Sequence, residues 1–293
     1  GKETEARSFL HGDFDHDGDL DIYALKNGAN LFWRNNLDGT FSEMAGKMNI
    51  DGGNGNSRDA IFGDIDDDGD LDLVVLDDIG TPQLYSNLRQ GQFEKLDSVG
   101  FSQGGSTLAA GDYNNDGWLD LLVVGRDGTE LYSNEGEGLF EAVITPFSAP
   151  AEDALFFDFD NDGWLDLVIT GNKKTTLYHN QNGEFEDVSH VLPSGAVAGR
   201  MLDIIDYNQD GDLDILMIGE DSKIRLFRND GGNMNKYLNV RLVGLRAGSG
   251  KNNHFGLGAR VEIRAGDLYQ SRVVTSEVTT VSYTHLRAHE TEA

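Results

Sequence analysis

The strongest constraint on this chain is an acidic loop, GDFDHDGDLDI, written from Gly12 to Ile22 and repeated four more times. Asp13, Asp15, Asp17 and Asp21 place four carboxylates within nine residues, around Gly18. Like charges that close repel one another unless a cation sits among them. The frame returns as GDIDDDGDLDL from Gly63, GDYNNDGWLDL from Gly111, FDFDNDGWLDL from Phe157 and IDYNQDGDLDI from Ile205. Its first acidic positions, Asp13, Asp64, Asp112, Asp158 and Asp206, are separated by 51, 48, 46 and 48 residues. A period of about fifty residues predicts an array of equal structural units.

Each unit has one layout. A short apolar run leads into the loop (SFLHG, AIFG, LAAG, ALFF, LDII) and a stronger one leaves it (LDIYAL, LDLVVL, LDLLVV, LDLVIT, LDILMI). The outgoing runs are aliphatic at consecutive positions, which predicts strands buried on both faces. A third run ends in Asn35, Asn87, Asn134, Asn180 or Asn229, and a Gly turn then gives a fourth run around Phe41, Phe93, Phe140 and Phe185. Asn and Gly at those turns are expected to supply the positive φ of tight hairpins. Four antiparallel strands per unit predict an all-β fold, a β-propeller of four-stranded blades. The fifth unit lacks a Gly-x-Phe run, and only Gly1 to Glu5 precede the first strand. The expectation is therefore that the five visible blades belong to a larger ring of about seven, in a fragment of a longer chain.

Charge divides the chain. Residues 1–233, the expected propeller, hold 15 basic and 46 acidic side chains, whereas residues 234–280 hold seven basic and three acidic. The net charge of −28 over 293 residues argues against nucleic acid and anionic membranes as partners of the whole. No cysteine is present for disulfides or thiolate metal sites. No apolar run approaches the roughly 18 residues of a membrane span. Residues 234–280 alternate polar and apolar in KYLNVRLVG, GARVEIRAG and YQSRVVTSEV, which predicts a small β module. Residues 281–293 break that pattern and are expected to form a disordered or non-native tail. Arg241, Arg246, Arg260, Arg264 and Arg272 could dock the basic module on the acidic propeller or meet an acidic polysaccharide.

Counted from its first Asp, the loop offers side-chain oxygens at positions one, three, five and nine and a backbone carbonyl at seven. The candidate ligands are Asp13, Asp15, Asp17, Asp19 and Asp21 in the first loop and Asp64, Asp66, Asp68, Asp70 and Asp72 in the second. They are Asp112, Asn114, Asp116, Trp118 and Asp120 in the third, and Asp158, Asp160, Asp162, Trp164 and Asp166 in the fourth. The fifth supplies Asp206, Asn208, Asp210, Asp212 and Asp214. All-oxygen ligation by several carboxylates predicts Ca2+, about five ions in a structural role. An EF-hand would need Glu at position twelve and flanking helices. Position twelve is Ala24, Val75, Val123, Ile169 and Met217, so the EF-hand is excluded.

The DxDxDGxxD loop between strands, with its LYxN and GxF runs, resembles the FG-GAP/VCBS repeat over roughly residues 6–233. The resemblance implies a Ca2+-bearing propeller, as in integrin α-chain heads and many bacterial surface proteins. NKYLNVRLVG, GLGARVEIRAG and SRVVTSEV resemble the ASPIC/UnbV module that follows such repeats in the cartilage acidic protein type family. No GxSxG, HExxH or Walker loop occurs, and the seven histidines fall at no repeated position and show no metal spacing outside the tail. The expected function is a secreted, periplasmic or cell-surface adhesion scaffold that binds a protein or glycan and has no catalytic residues. The alternative is a polysaccharide lyase or hydrolase built on a Ca2+-stabilised propeller.

Overall fold

The computed structural model describes residues 5–288 except 16, 54, 78–79, 90, 98, 172–173, 194–197, 232–234, 245–255, 266–267 and 275–282. Apart from one 3-10 turn (Ser189–Val191), every regular element among the described residues is a strand. The first blade is β1 (Ser8–Gly12), β2 (Asp21–Leu25), β3 (Leu31–Asn35) and β4 (Phe41–Glu43). The second is β5 (Ser57–Gly63), β6 (Asp72–Asp77), β7 (Gln83–Asn87) and β8 (Phe93–Leu96). The third is β9 (Thr107–Gly111), β10 (Asp120–Val124), β11 (Thr129–Asn134) and β12 (Phe140–Val143). The fourth is β13 (Asp153–Phe157), β14 (Asp166–Thr170), β15 (Thr175–Gln181) and β16 (Glu184–Asp187). The fifth has three strands, β17 (Gly199–Ile205), β18 (Asp214–Gly219) and β19 (Ile224–Phe227), as the missing Gly-x-Phe run predicts.

All blades are antiparallel meanders in sequence order. Their first strands are neighbours in the series β1, β5, β9, β13, β17, so each blade faces the next around a propeller. Such a sheet cannot bury both faces by itself, and the consecutive aliphatic residues of the second strands now have a use. Along β6, Leu73 and Val75 pack toward the first blade, while Val74 and Leu76 pack toward the third. Along β10, Leu121 and Val123 face the second blade, while Leu122 and Val124 face the fourth. The apolar interior is therefore a series of inter-blade cores, each shared by two sheets. Close approach needs a small residue where the first strand ends: a Cβ on Gly111 would meet Leu165 of the next blade at 2.7 Å. The outward sides of the terminal blades carry exposed Phe9 on β1 and Met201 and Ile224 on β17 and β19.

The Asn that closes each third strand is not a positive-φ residue, which corrects the sequence expectation for that Asn and leaves it standing for the turn glycines. Left-handed backbone falls further on, at Leu37, Arg89 and Asn182 and at Gly39, Gly91 and Gly183. The Asn instead spends its amide across the blade boundary. Asn87 Nδ2 donates to Phe14 O of the first blade (3.0 Å), Asn134 Nδ2 to Ile65 O of the second (2.9 Å) and Asn180 Nδ2 to Tyr113 O of the third (2.7 Å). Asn229 Nδ2 reaches Phe159 O of the fourth at 2.5 Å. Each also donates to the carbonyl at loop position eight of its own blade, at 2.8–3.4 Å.

Beyond the blades, β20 (Lys236–Arg241) pairs with β23 (Tyr283–Ala288), which lies inside the stretch expected to be a tail. β21 (Arg260–Ala265) and β22 (Leu268–Val273) form a separate hairpin.

These clamps differ in strength by position. Among the described residues, Asn35 Nδ2 donates only to Leu20 O of its own blade, at 3.4 Å. Asn134→Ala should cost about 2 kcal/mol or more in urea unfolding, since two buried carbonyls lose their donor, and Asn35→Ala about 1 kcal/mol. Equal losses would mean that the Asn acts only in its turn.

Candidate functional site

The acidic loops join the first and second strands of each blade. The chain reverses there through left-handed backbone at position four (Asp67, Asn115, Asn161 and Gln209, φ 55–60°) and position six (Gly18, Gly69, Gly117, Gly163 and Gly211, φ 86–95°). Glycine at six avoids the Cβ clash that φ above zero imposes. The carboxylates then hold the loop. Position one accepts the amide of position six, as in Gly163 N to Asp158 Oδ2 at 2.9 Å. Position five accepts the amide of position seven, as in Trp164 N to Asp162 Oδ1 at 2.8 Å.

Position nine is the hub. Asp21, Asp72, Asp120, Asp166 and Asp214 are buried. One oxygen of each accepts the amide at loop position two (Phe14, Ile65, Tyr113, Phe159 and Tyr207, 2.8–3.2 Å). The other accepts the backbone amide of the clamp Asn (Asn35, Asn87, Asn134, Asn180 and Asn229, 2.7–2.9 Å). Position nine therefore binds the loop to the third strand, and in the second to fifth blades its Asn binds that strand to the blade before.

The structure gathers the predicted ligands unevenly. Asp13, Asp15 and Asp17 bring one oxygen each within 4.8 Å of one another, as do Asp64, Asp66 and Asp72, and Asp158, Asp160 and Asp166. In the third and fifth loops Asn replaces Asp at position three, and its amide donates to position five (Asn114 to Asp116, 2.8 Å; Asn208 to Asp210, 2.6 Å). Side chains at position seven turn to their surroundings. Asp70 ion-pairs with Arg89, Trp118 lies over Gly136, and Asp212 accepts from Asn161 at 3.1 Å. In the second loop Asp64 Oδ1 and Asp66 Oδ1 are buried without a hydrogen-bond partner. A hard cation with an oxygen shell fits that donor set.

Cationic side chains supply part of the missing charge. Arg34 ion-pairs with Asp15 and lies 3.6 Å from Asp17. The β21–β22 hairpin rests on the same end of the propeller. Arg260 ion-pairs with Asp67, Val273 packs against the core between the second and third blades, and Arg272 Nη2 donates to Gly163 O at 3.3 Å. Desolvation pushes the Arg272 guanidinium down, against the pull of Asp158 and Asp112. Sequence reasoning treated the loops as self-contained and missed Arg34, Arg89 and His179, each remote in the chain from the loop it touches. His179 Nε2 lies 3.4 Å from Asp160 and 3.5 Å from Asp162. The sequence spacing of the histidines gives no sign of this juxtaposition, which could hold a metal ion.

Antiparallel blades with one acidic strand-to-strand loop apiece define a β-propeller, and the first, second and fourth loops gather acidic groups that could hold a cation. The FG-GAP-like repeat matches residues 13–75, 64–123, 112–156 and 158–217, and the chain belongs to that family. Residues 234–280 lie outside the matched span, and no ASPIC/UnbV match accompanies it. Among solved structures, the fold is similar to an Agrocybe aegerita lectin that specifically recognises non-reducing terminal N-acetylglucosamine (17% identity, TM-score 0.56). That similarity covers 98% of this chain and 86% of the lectin. The V. cholerae biofilm matrix protein Bap1 is 20% identical with a TM-score of 0.45, covering 76% of this chain and 37% of that one. An auxiliary nutrient binding protein from Bacteroides ovatus is 14% identical with a TM-score of 0.46, covering 72% and 52%. No curated protein sequence matches the chain. No helix among the described residues is long and apolar enough to cross a membrane.

Burial raises the loop carboxyls in the metal-free protein. Asp64 and Asp112 rise to about 6, Asp21 and Asp158 to about 7, and Asp72 and Asp120 to about 8, from 3.8. The folded state then keeps protons that the unfolded chain has lost, so this contribution is fully present below about pH 4 and disappears as pH rises through 6 to 8. In EDTA the melting temperature should fall steadily from pH 5 to pH 8. A rise over that interval in thermal unfolding would contradict the assignment.

Proposed function

We propose that this chain is a Ca2+-stabilised binding scaffold of the cell exterior (secreted, periplasmic or surface-attached) that presents its free propeller surfaces to a protein or glycan. Each loop holds one ion through positions one, three, five and nine and the carbonyl of position seven. The observation that carries the reading is the second loop, where the buried, partnerless oxygens of Asp64 and Asp66 converge with Asp72. Leaving carboxylate oxygens buried without a donor costs about 1–3 kcal/mol each or more, and a divalent cation removes that cost. The ion's work is structural, because position nine links each loop to the clamp between blades.

Sites of this kind suit the millimolar Ca2+ outside cells, which favours the exterior location. The hairpin carrying Arg260 and Arg272 covers loops of the second to fourth blades, so the ligand is to be sought on the surfaces it leaves free. A propeller of the same fold in Agrocybe aegerita recognises terminal N-acetylglucosamine, which makes glycans the first ligand class to test.

At Ca2+ a hundredfold above the dissociation constant, each site should add roughly 2.7 kcal/mol to folding stability. EDTA should therefore lower the melting temperature sharply, and added Ca2+ should restore it. An unchanged melt would refute the metal role. A glycan array probed with and without Ca2+ tests the ligand class: Ca2+-dependent binding is expected, and a blank array would turn the reading to protein partners.

A further inference from the structure

The residue before the clamp Asn changes from blade to blade, as Arg34, Ser86, Ser133, His179 and Arg228, while the loop beside it keeps its pattern. In three blades that side chain meets carboxylates of its own blade's loop, while Ser133 and Arg228 meet the loop tyrosines Tyr113 and Tyr207. Arg34 ion-pairs with Asp15, Ser86 Oγ donates to Asp66 Oδ2 at 3.1 Å, and His179 meets both Asp160 and Asp162. The fourth blade alone places an imidazole there.

His179 Nε2 is 3.4 Å from Asp160 Oδ2 and 3.5 Å from Asp162 Oδ2, within ion-pair reach of both if the imidazole is protonated; the side chain is 24% exposed, but Nε2 itself is out of solvent and makes no hydrogen bond. One ligand atom from each of the three residues falls within 4.8 Å of the others. A protonated imidazole paired to one carboxylate would sit at about 2.8 Å from it. Near-equal longer spacings suit ligands arranged around a third body: bonds of about 2.05 Å to a tetrahedral Zn2+ put neighbouring ligand atoms about 3.4 Å apart. Phe159 meets the imidazole edge-on, with ring centroids 5.7 Å apart at 78°, which restrains its rotation. Ca2+ takes oxygen ligands, whereas imidazole with carboxylates suits Zn2+ and its neighbours in the transition series.

We propose that the fourth blade's loop is a site for a borderline transition ion such as Zn2+, bound by Asp160, Asp162 and His179 in preference to Ca2+. The proposal rests on the loops being cation sites and departs from the calcium reading at this blade only. The ion would bind a residue of the third strand directly, where the other loops reach that strand through hydrogen bonds and ion pairs.

The test uses the whole chain, stripped of metal, saturated with Ca2+ and titrated with Co2+ as a spectroscopic stand-in for Zn2+. The expected result is one equivalent of visible Co2+ absorption that one equivalent of Zn2+ displaces. In His179→Ser, which installs the residue of the second and third blades, that binding should weaken by at least about tenfold. His179→Gln carries the same expectation if the serine variant does not fold. No Co2+ band in the wild type, or a band of undiminished affinity in the variants, overturns the proposal; the latter would point to His285 and His289. The Ca2+-induced rise in melting temperature, read on the same wild-type samples, judges the calcium reading separately.

Discussion

Everything in this propeller hangs on one buried carboxylate per blade, the Asp at loop position nine. Its two oxygens hold the start of the acidic loop and the backbone of the clamp Asn, and that Asn in turn grips a carbonyl of the preceding blade. A sheet of four short strands cannot bury both faces unaided, so the molecule depends on neighbours meeting in register. The Asp–Asn unit sets that register. Apolar packing supplies the driving force between blades, and the polar unit selects which contacts form.

The electrostatic cost of this arrangement is local and repeated. The blades bury carboxylates beside others, and desolvation raises the pKa values of Asp72 and Asp120. The blades answer differently. The first has Arg34 against its loop, the second has Arg89 against Asp70, and the third and fourth lie under Arg272. Repeats that share one loop pattern are thus unequal in charge environment, and their ion preferences need not be equal either.

Much of this was legible in the sequence because the information is periodic. The loop spacing predicted the blades, the consecutive aliphatic residues predicted strands buried on both faces, and the absent Gly-x-Phe run predicted a three-stranded fifth sheet. Asn134 was misread because Asn commonly closes turns; that its amide reaches Ile65 in another blade is a contact with no local signature. His179 was missed for the same reason, since it lies on a different strand from Asp160 and Asp162.

The sequence alone determined the repeat and the strand order within a blade, because a residue's spacing along the chain sets which face of a strand or turn it occupies. Only the tertiary structure decided which loop meets which arginine, where the histidine lands and how one blade grips the next. Those contacts join residues far apart in the chain, and packing of the blades brings them together.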